Sequence, residues 1–243
     1  DEILANCETE EERARTSELI RPILRGRDIK RYGYEWANLY LIATFPACRY
    51  DIDNYPAVKD YLVSFAEQNL RESGNNWVAD LYLEDYCKQK LAQTGKFIEI
   101  KGKRIYIGNT AEKARKKTSN KWFETQDSIS YWEDFYKPKL FYADITQQMN
   151  FCLCKEVMFC NNTTYFIATE DEKVLEHLHT YLNSPIVDWY YRTLSVQLGE
   201  KAVRMFSIYV LDIPVPSMAK GNDFYEILKL TPSEIDFIEC REH

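Results

Sequence analysis

Between residues 139 and 194 the chain runs through three strand-like segments and then two helices, and this order limits the fold more than any other stretch. The runs "KLFYADI" (139–145), "FCLCKEVMFC" (151–160) and "TTYFIAT" (163–169) are rich in β-branched and aromatic residues, as consecutive strands are. From Asp171 to Asn183 the residues Leu175, Leu178 and Leu182 recur at helical intervals. Ser184-Pro185 then supplies a cap and a first-turn residue for the next helix, "IVDWYYRTL". Strands in succession followed by separate helices predict an α+β fold: a mixed, largely antiparallel sheet with packed helices.

The rest of the chain is read around that centre. Residues 9–20 predict a short helix, and Arg25-Gly-Arg-Asp-Ile a tight loop in which Gly26 is free to take unusual backbone angles. Residues 36–45, "WANLYLIATF", read as a buried strand. From Pro56 an amphipathic helix places Val58, Tyr61, Leu62 and Phe65 on one face, and residues 77–91 carry a similar pattern. Residues 97–107 read as a hairpin with "KGK" at its bend, which puts Lys101, Lys103 and Arg104 at the tip. Trp122 to Tyr136 predicts a helix ended at Lys137-Pro138, and "MFSIYVLDIPVP" (205–216) a last strand ended by two prolines.

Charge is unevenly placed. The formal net charge is -7. Residues 1–12 hold six acids and no base, and residues 223–243 hold six acids against Lys229 and Arg241. Between these acidic ends, residues 96–121 carry nine bases and two acids, and "RPILRGRDIKR" (21–31) five bases and one acid. Two basic patches on a near-neutral body suit a polyanion better than the net charge suggests. Solvated charged faces are the plain alternative.

Catalytic constellations are thin. The seven cysteines are scattered without a CxxC, which fits inert thiols in a reducing cytoplasm. His177 and His179 stand at i, i+2 on a predicted helix and diverge. No GxxxxGK[ST], GxGxxG or GxSxG motif occurs. No apolar run is long enough to span a bilayer. The chain begins with Asp and an acidic stretch lacking an apolar signal core, so it reads as a segment of a longer protein. On residues alone it is a binding module and not an enzyme. Lysine and arginine neutralise phosphates, arginine also pairs with guanine, and Asn120 and Gln126 are of the type that pairs with adenine. Aromatics beside lysine, such as Trp122 and Phe123, can stack on bases or enter the core.

Five blocks then resemble a known family in their order. They are "LIRPILRGRDIKRYGYEW" (19–36), "KKTSNKWFETQDSISYWEDFYKPKLFYADI" (116–145), "NNTTYFIA" (161–168), "LHTYLNSPIVDWYYR" (178–192) and "YVLDIPVP" (209–216). Together they are similar to the TaqI-like C-terminal specificity domain of bacterial adenine-N6 DNA methyltransferases and of single-chain (type IIG) restriction–modification enzymes. The resemblance implies a target recognition domain that binds duplex DNA and reads bases, mainly in the major groove. A methyltransferase domain of the same polypeptide flips the adenine out of the stack. It implies no cofactor in this chain, with S-adenosylmethionine for the parent, and magnesium for a parent that also cleaves as an endonuclease. The Asn/Asp-Pro-Pro-Tyr/Phe motif of that chemistry is absent, "DNYPAV" (53–58) being a superficial echo.

The expected organisation is an acidic lead-in over residues 1–18, a recognition domain over 19–217 with a basic hairpin insertion at about 94–118, and an acidic helical extension over 218–243. Arg25, Arg27, Lys30 and Arg31 are expected to line the DNA cleft, with Asp28 as a structural acid that fixes the loop arginines. Lys116, Lys117, Lys121, Lys137 and Lys139 are expected on phosphates, and Lys101, Lys103 and Arg104 to extend the footprint. Arg192, Lys201 and Arg204 are weaker candidates. A competing reading turns the basic patches toward acidic protein partners. A third, an enzyme with a Cys/His site, has the least support.

Overall fold

A computed structural model of the chain describes residues 2–64, 119–121, 123–199 and 201–240, with short stretches at 72–73, 76–77, 97–100 and 103–106. The fold is mixed α+β, with mostly antiparallel sheets and eight α-helices among the described residues. None of these helices is long and apolar enough to cross a membrane. The chain forms two compact units, residues 1–20 with 42–130, and residues 21–41 with 131–243.

The second unit is built on the predicted strand run. Lys139–Ala143 is the central strand of a three-stranded antiparallel sheet, between Phe151–Cys154 and Thr164–Ala168. Every residue of the central strand is buried. The reason is that both faces are covered. Leu140 and Tyr142 point with Phe151, Leu153 and Ile167 into a core completed by the helices Glu172–Leu182 and Pro185–Leu194. Phe141 points the other way, with Cys152, Cys154, Leu24 and Ile29. Side chains alternate along a strand, so one register assigns each residue to its core.

The acidic C-terminal helices Phe224–Ile227 and Pro232–Glu239 seat Phe224 and Ile238 in the first of these cores. A second antiparallel sheet places Ala202–Arg204 between Ile145–Thr146 and Gln197–Leu198. Ile20–Leu24 runs parallel to Phe159–Cys160, with Ile23 opposite Phe159. The predicted run 151–160 is therefore two strands in two sheets.

The first unit centres on Ile3, Leu19, Ile52, Val58 and Phe123. Thr9 caps the helix Glu10–Leu19 by accepting from the Glu12 N–H at 3.1 Å. Glu12 is buried because its carboxylate accepts from the Ala57 N–H at 2.9 Å and the Glu8 N–H at 3.0 Å. It thereby closes the start of the helix Pro56–Ser64. The predicted hairpin forms between Phe97–Ile100 and Lys103–Tyr106. The helix expected over 77–91 lies outside the described residues.

Three expectations are corrected. Residues 36–45 hold only the short strand Tyr40–Ile42, and Leu39 and Tyr40 are exposed. No α-helix forms over the described residues from Phe123 to Tyr136. The Asn120 amide donates to Thr125 O at 2.8 Å and Gln126 O at 3.0 Å, and Glu124 accepts from the Lys121 N–H at 2.7 Å. Side chains thus bond the backbone groups that a helix would use, and only Trp132–Tyr136 winds, as a 3-10 turn. Residues 207–211 form a helix instead of the last strand. Val210 and Ile213 are buried at a three-residue spacing, whereas Ile208 and Leu211 are exposed. A short apolar run does not by itself distinguish the two periods.

Candidate functional site

The loop after strand Ile20–Leu24 is held by one carboxylate. Asp28 Oδ2 accepts from the Arg25 backbone N–H at 2.9 Å and from Arg25 Nε at 3.0 Å, and Oδ1 accepts from Arg25 Nη2 at 2.7 Å. These bonds from Arg25 hold the Asp28 carboxyl below its ordinary value. Arg25 is consequently a clamp of the loop. Arg27, between the two, is exposed and makes no ion pair among the described residues.

Gly26 is required here by crowding. Its φ is not in the left-handed region, contrary to expectation. Its N–H donates to Thr163 Oγ1 at 2.8 Å, and a Cβ would meet Thr163 O at 2.5 Å and Ala143 Cβ at 3.3 Å. A backbone oxygen cannot yield as a flexible side chain can. Gly26→Ala is expected to cost about 1–3 kcal/mol of stability and to lift Arg27 from its place. Urea denaturation of the variant checks the first effect.

Beside this loop lies a cleft of about 690 Å³. Its lining comes from three stretches of the chain: Gly26, Arg27 and Ile29; Ala143, Ile145 to Gln148 and Asn150; and Lys201 with Ala202. The cleft lies within the second unit, and no carboxylate is among its lining residues that the structure describes. Gln147, Gln148, Arg27 and Lys201 are all exposed. In an acidic chain this lining sets two cations and three amides among the apolar Ile29, Ala143, Ile145 and Ala202, and the polar groups suit an anionic ligand rich in donors and acceptors.

The other predicted residues are distributed differently. Lys30 is exposed and pairs with Glu35 at 3.3 Å. Arg31 donates to Asn183 O and packs on Tyr32, so it ties the loop to the helical layer. Lys137 pairs with Asp134 at 2.8 Å. Lys121 is exposed beside the Phe123 ring, in the first unit, while Phe123 itself is core. Arg204 faces Asp144 at 3.5 Å and the Phe206 ring. Lys101, Lys116 and Lys117 lie outside the described residues, as does Trp122, and of Lys103 and Arg104 only the backbone is described.

Lys139 is a correction. It is fully buried, with its ammonium donating to Glu156 O at 3.0 Å beneath Cys154. Its strand position shares a face with Phe141, which turns it into the core and away from any phosphate. Burial holds its pKa below the ordinary 10.5. Between the folded and unfolded pKa values the unfolded chain binds more protons, so stability rises with pH through that window. Lys139→Met is expected to remove that rise and to keep or increase the thermal midpoint. Urea denaturation of both proteins from neutral to alkaline pH checks this.

The same core holds three thiols, Cys152 and Cys154 buried and Cys160 partly so. Burial pushes Cys152 and Cys160 up to about 12 and Cys154 up to about 11, which leaves them protonated and unreactive at neutral pH. No group of three His, Cys, Asp or Glu among the described residues is arranged to hold a metal ion. Gln147, Gln148 and Asn150 were not anticipated. Their signal in the sequence was slight: adjacent amides in the short connection between two strand runs.

Comparison with known proteins gives one family. The model for the TaqI-like C-terminal specificity domain matches residues 93–215, just over half of the chain. The match includes the wall of the cleft from Ile145 to Asn150 and Lys201, while the loop bearing Arg27 precedes it. No curated protein matches the chain.

Proposed function

Since this chain belongs to the TaqI-like C-terminal specificity domain family, whose members serve DNA-sequence recognition and are not themselves catalytic, we propose that it binds duplex DNA at the cleft beside Arg27. A separate methyltransferase domain of the same polypeptide then methylates adenine with S-adenosylmethionine. The parent is a cytoplasmic bacterial restriction–modification or modification enzyme, and it uses magnesium where it also cleaves.

The single observation that carries this reading is the lining of the cleft. Its described lining brings together cations at Arg27 and Lys201 and amides at Gln147, Gln148 and Asn150, with no carboxylate among those described residues, in a chain of net charge -7. Phosphate contacts by the cations supply affinity that falls with salt, and the amides of the same lining supply contacts to base edges. Lys30 is a further surface cation of the second unit, beside Glu35, and Lys137 is half-exposed beside its aspartate.

An electrophoretic shift with random-sequence duplex at low salt tests the proposal. Binding is expected, with a steep salt dependence. The double substitution Arg27→Ala, Lys201→Ala is expected to reduce the slope of log K against log salt by about 0.9 for each phosphate that is no longer neutralised. No binding at low salt, or binding indifferent to the double substitution, would overturn it.

A further inference from the structure

The Arg192 side chain holds three partners. Its Nε donates to Asp188 Oδ2 at 2.8 Å, Nη1 donates to Lys201 O at 2.9 Å, and Nη2 donates to Gln147 O. The other oxygen of Asp188 accepts from the Met149 N–H at 2.8 Å. Asp188 and Arg192 stand one turn apart on the helix Pro185–Leu194, and both are largely buried. One ion pair thus fixes the backbone at two places in the cleft lining, the segment carrying Gln147 and the turn carrying Lys201. Arg192 is therefore a pin behind the cleft and does not itself face a ligand.

The segment is tightened further. Thr146 Oγ1 donates to Gln148 O at 2.6 Å and accepts from Asn150 Nδ2 at 3.3 Å. The backbone of Gln147 and Gln148 is consequently held, while among the described residues neither amide side chain makes a hydrogen bond. The fixed backbone limits where these two amides can stand and leaves their donors and acceptors unused, and discrimination depends on where a donor and an acceptor stand.

An amide offers a donor and an acceptor side by side. That pair matches N7 and the N6 amino group of adenine, whereas an arginine fork matches guanine. We infer that Gln147 and Gln148 read adenine through its major-groove edge, and that the Asp188–Arg192 pair is the positioning device that sets their reach. This rests on the cleft being the duplex-binding surface proposed above. The amides supply base identity, and Arg27 and Lys201 supply sequence-independent affinity.

Selection from a pool of randomised duplexes, with the 243-residue chain and sequencing of the bound fraction, tests the inference. The unaltered chain is expected to enrich a motif containing adenine. Gln147→Ala, Gln148→Ala is expected to relax an adenine position by roughly 10-fold while random-duplex affinity stays within about twofold. Replacing that adenine by 7-deazaadenine is expected to weaken the unaltered chain and not the variant. Arg192→Lys is expected to relax the same position. A uniform loss across all sequences in that variant would make the pair structural only and remove its positioning role. Binding without an enriched motif, or a motif unchanged in the double variant, overturns the adenine reading and leaves duplex binding standing. The absence of any duplex binding removes the reading of the cleft itself.

Discussion

Asp188→Ala is expected to lower the unfolding free energy by about 3–5 kcal/mol, as the loss of one partner from a buried ion pair does. Two groups lose their acceptor or their charge partner together. The Met149 N–H loses Asp188 Oδ1. The Arg192 guanidinium loses the carboxylate that orients it. Arg192 then holds Gln147 O and Lys201 O from an unconstrained position. The effect should appear as a lower urea midpoint with an unchanged slope, since the folded state stays compact. Asp188→Asn keeps the shape but not the charge, and is expected to lie between the two. If Asp188→Ala costs no more than an ordinary surface substitution, the pair does not hold the cleft.

A comparably large loss is expected for Asn183→Leu, for a different reason. Asn183 is buried at the end of the helix Glu172–Leu182 and serves the edge strand of the central sheet. Its Oδ1 accepts from the Phe151 N–H at 2.9 Å, and its Nδ2 donates to Phe151 O at 2.9 Å and to His179 O at 2.9 Å. One side-chain amide therefore imitates the next strand for the outward-facing groups of Phe151, which would otherwise be an open edge. Leucine preserves volume and removes all three bonds. Each orphaned backbone group costs about 1–3 kcal/mol, so several kcal/mol should be lost together. Hydrogen exchange identifies the cause: protection of the Phe151 amide should fall more than that of the central-strand amides, and equal loss at both would point to general destabilisation.

Much of the architecture was legible in local pattern. The three strand runs, the helices beginning near Asp171 and Pro185, the Pro56 helix and the 97–107 hairpin all declare themselves through period, caps and turn residues. The errors arose where local pattern is ambiguous or competes with side-chain bonding. "MFSIYV" satisfies strand composition but buries Val210 and Ile213 at helical spacing. "NKWFETQDS" has a helical look, yet Asn120 and Glu124 cap its backbone into turns.

The candidate site was legible only in part. The basic loop was visible as composition, and Asp28 was recognisable as the acid that would fix it. Composition could not rank its cations. Arg25 is spent on Asp28 and Arg31 on Asn183, which leaves Arg27 facing the cleft. Lys139 counted as a surface base until strand register placed it in the core.

Fold class, strand run, family resemblance and a basic loop closed by an acid can all be read from the order of the residues. These follow from short-range rules, in which residues a few positions apart decide a period, a cap or a turn. Which charges are available, and what they stand beside, depends on how the chain packs. Arg27, the adjacent Gln147 and Gln148, and Lys201 come from three distant stretches of the chain and meet in one cleft because the Gly26 loop docks on Thr163 and Arg192 ties the other two stretches together. A charge acts through its distance, its burial and its partners, and those are set by long-range packing that no local pattern encodes.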